Sequence, residues 1–309
     1  MKQKLTKGDI IVFKAEDDWL SKAIAWFTKS DACHAAMAYS EDSIVEVGAP
    51  GIGVHKVEVS DGDDIYVMRL ISEPDPAPLI ASADAYLNAK VRYDFPKLFI
   101  LAGLILYRRI KPTTEVLQVS DEILTVCCFM LDEMIQHVLL HHDDQAMVCS
   151  ELVYHIFYAC GKEYEIQITN GEIWNNIPES DSGRASDDYI RLYDYLPAEK
   201  NTTASLDINR PESAPVSPER TESLAKKLYT ALCQSEMPLP QDNGLSEQTS
   251  SPKFSSTVLA ADKFLTNLQH FMELVKCDLP IEAMFITPGD FVYNADNLKN
   301  MGNIHLQRI

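Results

Sequence analysis

Residues 34–47 read His-Ala-Ala-Met-Ala-Tyr-Ser-Glu-Asp-Ser-Ile-Val-Glu-Val and hold two short apolar runs, Ala35 to Tyr39 and Ile44 to Val47, on either side of Ser-Glu-Asp. Apolar runs of this length around a polar turn are typical of a β-hairpin. Similar runs separated by turn residues occur before and after it, at Ile10 to Phe13, Gly53 to Val59 and Ile65 to Leu70. The first seventy residues therefore predict a small antiparallel sheet.

Segments with helical periodicity lie between the first two predicted strands and after the last one. Apolar residues recur on one face of Asp18 to Phe27, which predicts a helix between the first two strands. Beyond residue 77 the pattern becomes mostly helical, in four segments: Pro78 to Lys90, Phe95 to Arg109, Asp121 to Leu140 and Cys149 to Cys160. A strand-rich start followed by helices predicts an α+β fold, with helices packed on a small antiparallel sheet.

Two stretches, Pro197–Pro218 and Pro238–Pro252, have the composition of linkers, because prolines and polar residues outnumber apolar anchors there. Candidate helices follow each of them, at Glu219–Cys233 and Ser255–Cys277. The predicted organisation has three parts: a main domain in residues 1–196, a mostly helical insertion with flexible linkers in 197–280, and a closing segment of the main domain in 281–309.

Charge and cysteine content limit the class of protein. The chain has 46 acidic against 27 basic residues, a formal charge of -19, which argues against a nucleic-acid partner. Its seven cysteines are odd in number and lack a CxxC pair, so neither a disulfide framework nor a zinc ribbon is predicted. The cysteine content instead predicts a reducing compartment.

The N-terminal residues and the longest apolar run bear on targeting and membrane insertion. The first residues lack the apolar segment of a Sec signal, and the longest apolar run, Leu98–Tyr107, is shorter than the roughly 20 residues that span a bilayer. We therefore predict no transmembrane segment. The expected location is the cytoplasm, or a reducing host cytosol reached by a non-Sec route, as for a secreted bacterial effector.

One cysteine lies where its thiol could be activated. Cys149 is predicted to begin a helix, with Ser150 and Glu151 in the first turn. Unpaired N–H groups and the positive end of the dipole at a helix start lower the pKa of a thiol. Taken alone, an inert packed thiol is the simpler interpretation. Cys127, Cys128 and Cys160 lie on predicted apolar faces, and Cys277 lies at a predicted helix end beside Pro280.

A thiolate nucleophile needs a histidine base that a third polar group holds in one tautomer. His34 opens a predicted strand at a sheet edge, where a helix start could dock. Glu46 lies on the next strand and shares a face with His34 only if the hairpin loop has odd length, because side chains alternate. Asp31, Glu41 and Asp42 are acidic neighbours that remain alternatives to Glu46.

Metal binding is a second use of histidines. His137 and His141 have the i, i+4 spacing of two ligands on one helical turn. Position 138 is Val rather than the Glu of a catalytic zinc motif, and the sequence shows no distant third ligand. We predict neither a metal site nor a cofactor.

Five elements in a fixed order resemble one known family. They are Gly8-Asp9-Ile10-Ile11, His34-Ala35-Ala36-Met37, Glu46, Cys149-Ser150-Glu151-Leu152-Val153 and Thr287-Pro288-Gly289-Asp290-Phe291. In this order the chain resembles the circularly permuted NlpC-type papain-like hydrolases, the YiiX/YaeF-like group, which are related to lecithin retinol acyltransferase. The resemblance covers about two fifths of the chain, over residues 5–72, 145–170 and 284–303.

The resemblance implies a circularly permuted papain-like fold with a helical insertion, in which residues 1–196 form the catalytic domain. It implies Cys149 as nucleophile, His34 as general base and then acid, and Glu46 as the group that orients His34. The Cys149 backbone N–H would help to bind the oxyanion.

A cysteine hydrolase that cleaves an amide bond through a thioester, as a peptidase or amidase does, is the expected function. A lipid ester hydrolase or an acyltransferase is an alternative, because one Cys–His pair serves these reactions as well. A second alternative is a non-catalytic binding or adaptor protein on a hydrolase scaffold. The expected partners are a peptide, amide or lipid-acyl substrate and, through residues 197–280, a protein.

Overall fold

A computed structural model describes residues 5–94, 114–140, 146–169, 252–275 and 281–309, together with nine single positions between these ranges. The chain divides into two compact units. The first comprises Met1–Leu98, His141–Pro178 and Val275–Ile309, and the second comprises Phe99–Leu140 and Glu179–Leu274. The predicted boundary at residue 196 lies outside the described residues, and so do most positions of the predicted helices Phe95–Arg109 and Glu219–Cys233.

The described part of the first unit consists of strands and short helices. Its strands are β1 (Ile10–Lys14), β2 (Ala32–Ser40), β3 (Ser43–Gly48), β4 (Gly51–Leu70), β5 (Arg92–Tyr93), β6 (Ala146–Met147) and β7 (Leu298–Arg308). Its α-helices are α1 (Trp19–Phe27), α2 (Ala77–Ala89), α4 (Cys149–Tyr158) and α6 (Asp290–Tyr293), and a 3-10 helix covers Ile281–Phe285. The α+β class with a small antiparallel sheet is confirmed.

Strands β1 to β4 are each hydrogen-bonded to the next in antiparallel fashion, and β4 also pairs with β1. The pairings therefore form a closed circuit, to which β7 adds along β4. One long strand, β4, replaces the two predicted strands, since its first part pairs with β3 and its last part with β1. Its register against β7 shifts between Asp61 and Ile65, as at a bulge that bends a strand.

Both faces of the curled sheet are buried, which explains why Ile10, Ile11 and Val12 are consecutive apolar residues. The inner core contains Leu5, Ile11, Ala36, Ala38, Ile44, Val57, Val59, Ile65, Val67 and Ile304. The outer core joins the opposite face of the strands to α2 and α4, through residues that include Ala35, Met37, Val45, Leu79, Leu152 and Phe157. Ala32 and Ala35 lie on the outer face of β2, and their small side chains let α4 pack closely on this strand.

Residues 281–309 belong to the first unit. Thr287 donates to the Asp290 carboxylate from its backbone N–H at 2.7 Å and from its hydroxyl at 3.0 Å, just before α6. The Ser150 hydroxyl donates to the Ile286 carbonyl at 2.6 Å, which ties this segment to α4. Strand β7 then pairs with β4.

The second unit is helical where it is described, with α3 (Thr114–Leu140) and α5 (Pro252–Val275). The side-chain amide of Asn267 donates to the Asp132 carboxylate at 2.8 Å and joins the two helices. Helix α3 begins seven residues before the predicted Asp121. Within the described ranges, no helix has the length and hydrophobicity to cross a membrane.

Candidate active site

A bulge in β2 places His34 and Glu46 on the same face of the sheet. Strands β2 and β3 are joined by the two-residue turn Glu41-Asp42, which alone would put the two side chains on opposite faces. The register shifts by one residue between Ala38 and Ser40. The expected loop of odd length is therefore wrong, but the extra residue in the strand has the same effect on the two side chains.

The site forms where the inner face of the sheet ends. Side chains two positions apart on a strand share a face, so the next residue beyond the inner core on each strand points the same way. Five strands contribute one such residue each: Phe13 on β1, His34 on β2, Glu46 on β3, His55 on β4 and Arg308 on β7.

His34 and Glu46 form a short, mostly buried hydrogen bond. The imidazole Nε2 lies 2.6 Å from Glu46 Oε2, and the two side chains are 23% and 6% exposed. A carboxylate at Nε2 holds this nitrogen in its N–H form and fixes the plane of the ring. Nδ1 is then the nitrogen available to a nucleophile.

Cys149 is the first residue of α4, as the sequence predicts. Val148 before it has an extended backbone, with φ -83° and ψ 164°, and its N–H donates to the Glu151 carboxylate at 3.2 Å. Cys149 is 5% exposed. Because the first N–H groups of a helix have no partner within the helix, this position surrounds the sulfur with donors.

The Cys149 thiol and the His34 imidazole are electrostatically coupled. Burial opposes the ionisation of both groups, but their mutual attraction and hydrogen bond outweigh it, and Glu46 adds to the effect on His34. Together, these interactions raise the pKa of His34 to about 10 and lower the pKa of Cys149. Backbone N–H groups of Ala35 and Ser150 donate to the sulfur and lower its pKa further. This environment favours thiolate and imidazolium.

The other described cysteines show the opposite shift. Burial raises the pKa of Cys33 to about 11 and that of Cys128 to about 12, and it also raises the pKa values of Cys127 and Cys160. Burial outweighs the groups that stabilise a thiolate at each of these positions. Among the described cysteines, Cys149 is therefore the one whose surroundings favour the thiolate.

Glu46 also lies close to two basic side chains that the sequence did not indicate. Arg308 Nη2 donates to Glu46 Oε2 at 2.7 Å, and His55 Nε2 lies 3.7 Å from Oε1. Burial raises the pKa of Glu46, but the hydrogen bond and charge of His34, together with the charges of Arg308 and His55, hold it below its ordinary value. The register of β7 along β4, which brings Arg308 here, has no local sequence signal.

The alternative carboxylates make other contacts. Asp31 accepts hydrogen bonds from the hydroxyls of Tyr66 and Tyr293, at 2.7 and 2.6 Å. Asp42 accepts one from a serine hydroxyl beside its own turn. Glu46 is the carboxylate that the imidazole contacts.

A buried ionic network supports the segment before Cys149. Lys97 Nζ donates to both carboxylate oxygens of Glu151, at 2.8 and 2.9 Å, and to the Ala146 carbonyl at 3.0 Å. The Asp94 carboxylate lies 3.5 Å away, and burial raises its pKa. Lys97 is 7% exposed and Glu151 is fully buried. The network therefore fixes both the strand that leads to Cys149 and the first turn of its helix.

Replacing Lys97 with methionine is expected to lower the free energy of unfolding by about 3–5 kcal/mol, because it leaves the Glu151 charge buried without its partner. Urea denaturation measures the change. The matched control adds Glu151→Gln, which removes the charge and keeps an acceptor for the Val148 N–H. The double variant should recover at least half of the loss, and a single variant as stable as the parent would disprove this role of the network.

His155 lies on the same helix as Cys149 and is buried. Burial, and then the charge of Lys97, lower the pKa of His155 to about 4, so this buried side chain is neutral at pH 7. Among the described residues, no three His, Cys, Asp or Glu side chains are grouped as metal ligands. The side chains of His137 and His141 lie outside that description.

No family model matches the chain, and no curated protein or solved structure matches it either. The function must therefore follow from the site itself. Its central feature is that His34 and Glu46, more than a hundred residues before Cys149, form one polar chain with the thiol at a helix start.

Proposed function

We propose that the protein is a cysteine hydrolase that cleaves an amide bond, as a peptidase or amidase does, through a thioester acyl-enzyme. Cys149 is the nucleophile, His34 is the general base and then the general acid, and Glu46 orients His34. The observation that carries the proposal is the coupled thiol and imidazole at the start of α4, with the carboxylate on the far ring nitrogen.

Acylation begins with attack of the Cys149 thiolate on the carbonyl carbon, which forms a C–S bond and moves an electron pair to the oxygen. In this proposal the backbone N–H of Cys149, at the start of the helix, stabilises the oxyanion. When the oxyanion collapses, the C–N bond breaks and the imidazolium of His34 gives its Nδ1 proton to the leaving amine. The products of this half-reaction are a thioester and a free amine.

Deacylation reverses the proton movement. Neutral His34 takes a proton from water as the water oxygen attacks the thioester carbon, and the C–S bond then breaks. The products are a carboxylic acid and the regenerated thiolate–imidazolium pair. A lipid alcohol or another acceptor in place of water would make the same site an acyltransferase, and an ester would serve as the first substrate in the same way.

The permuted papain-like fold is part of this proposal. The order of the elements supports it, since the strand with the base and the strand with its carboxylate precede the helix with the nucleophile. The position of the closing segment also supports it, because Ile286 binds the first turn of that helix. Residues 197–280, for which we propose a protein partner, lie mostly outside the described residues.

Trapping of the acyl-enzyme tests the proposal. The protein is incubated with an activated amide, such as an aminoacyl p-nitroanilide, and in parallel with p-nitrophenyl butyrate, and is then analysed by intact mass and peptide mapping. We expect one acyl group per chain, located on the Cys149 peptide and released by neutral hydroxylamine, as a thioester is. Preference for the first or the second probe separates amide from ester chemistry.

The control is the same incubation after unfolding in urea. Acylation of Cys149 should then fall to the level of the other thiols, because the pair with His34 no longer exists. Acyl groups scattered over lysines, or equal acylation of folded and unfolded chains, would rule out the proposed hydrolase.

A further inference from the structure

One oxygen of Glu46 is shared by two cations. Oε2 accepts from His34 Nε2 at 2.6 Å and from Arg308 Nη2 at 2.7 Å, which are distances of charge-assisted hydrogen bonds. The other oxygen faces His55 Nε2 at 3.7 Å. Glu46 is 5% exposed, so its charge depends on these neighbours rather than on water.

Phe13 links the same two cations on their other side. Its ring centroid lies 5.3 Å from that of His34, with the planes inclined at 51°, and 5.7 Å from the Arg308 guanidinium carbon. Phe13 pairs with His34 across β1 and β2, so its position follows from the strand register. His34, Glu46, Arg308 and Phe13 thus form a closed ring of contacts.

The proposed reaction makes the role of the second cation clear. When His34 gives its proton to the leaving group, its charge disappears, and Glu46 would be left as a buried carboxylate. Arg308 stays protonated at all relevant pH values. It can therefore neutralise Glu46 during the part of the cycle in which His34 cannot.

We propose that Arg308 is a positioning residue for the hydrolase, which holds Glu46 ionised and in place throughout the cycle and so keeps His34 aligned with Cys149. This inference rests on the proposed function. The residue acts through Glu46 and does not itself contact the sulfur. Its position on β7 gives the closing segment a direct part in the site.

The test is the pH dependence of Cys149 labelling by iodoacetamide in the full chain, from about pH 4 to about pH 9. The charged and titratable groups facing Glu46 are His34, His55 and Arg308, and Cys149 faces His34 in turn. In Arg308→Gln, Glu46 takes up a proton at higher pH, and imidazolium loses its partner. We expect the acid limb of the labelling profile, where the rate rises with pH, to shift to higher pH by about one unit. The shift is limited because the Arg308 side chain is 55% exposed.

Further variants separate positioning from a merely structural role. Arg308→Lys should restore most of the profile, and Lys299→Gln, which removes another charge from β7, should leave it unchanged. In a Glu46→Gln background, Arg308→Gln should have no additional effect, because its target is already neutral. Chemical denaturation of each variant verifies that the fold is retained.

Two different failures can be told apart. If the parent chain shows an activated Cys149 but Arg308→Gln has an unchanged acid limb, or shifts it equally in the Glu46→Gln background, the role of Arg308 is overturned. If Cys149 in the parent chain already titrates like an ordinary thiol, the proposed hydrolase fails, and the inference fails with it.

Discussion

Exchanging Cys149 for serine is expected to abolish rapid labelling by a thiol-reactive electrophile and to lower acyl transfer by about ten-thousandfold or more. Serine is close to cysteine in size, so the packing of the first turn of α4 should persist. Its hydroxyl, however, ionises far less readily than a thiol, and His34 is arranged to stabilise a thiolate. Intact mass spectrometry at pH 7 follows the labelling, and peptide mapping identifies the labelled residue.

The matched control is Cys33→Ser. Cys33 is a buried neighbour of His34 on β2, but burial raises the pKa of its thiol to about 11. This variant should label at the parental rate. Rapid labelling that survives in Cys149→Ser, or is lost in Cys33→Ser, would show that Cys149 is not the nucleophile.

Replacing His34 with alanine is expected to slow the labelling of Cys149 at pH 7 by about ten- to hundredfold. Without the imidazolium, burial raises the pKa of Cys149 and is opposed mainly by the backbone N–H groups of Ala35 and Ser150, so the pKa of this thiol should rise. A thiol whose pKa lies well above 7 is mostly protonated at pH 7, so little thiolate is then present. The greater intrinsic reactivity of a more basic thiolate offsets part of this loss.

His55→Ala is the control for this second prediction. His55 lies 3.7 Å from the same carboxylate but is not among the main groups that shift the pKa of the Cys149 thiol. Its replacement should change the rate at pH 7 by no more than about twofold. Equal losses in the two variants would mean that general disturbance of the sheet, rather than the Cys149–His34 pair, controls the thiol.

The local features of the site could be predicted from sequence. The helix start at Cys149 follows from polar residues in a first turn and an apolar stripe behind them. The β2–β3 hairpin follows from two apolar runs around a polar turn. In both cases neighbours in the sequence determine the structure, so the signal is contained in a short window.

The shared face of His34 and Glu46 could be stated only as a condition. It depends on whether one extra residue enters the hairpin, and a bulge provides it between Ala38 and Ser40 instead of the loop. A one-residue change reverses every side chain of a strand, and a turn or a strand can absorb that residue. From the sequence one can state that the shared face requires one extra residue in the hairpin. The sequence does not show whether the turn or the strand contains it.

Lys97 and Arg308 could not be predicted, because each acquires its role through distant pairing. Lys97 lies 54 residues before its partner Glu151, and the parallel pairing of β5 with β6 brings the two segments together. Lysine is usually exposed, so a lone lysine before an apolar segment suggests a surface position. Arg308 reaches Glu46 only through the register of β7 along β4.

The ionised pair of Cys149 and His34 is tested most directly by a thiolate titration. The ultraviolet absorbance of the thiolate is recorded from about pH 4 to about pH 10, and the spectrum of Cys149→Ser is subtracted at each pH. Since the pKa of Cys149 is lowered and that of His34 is raised to about 10, the pair should be ionised in the window between these two values. A difference signal already present below pH 7, and absent from His34→Ala, is the predicted result. A signal that develops only near the ordinary thiol pKa of about 8.5, with or without His34, would show that Cys149 and His34 do not form an ionised pair.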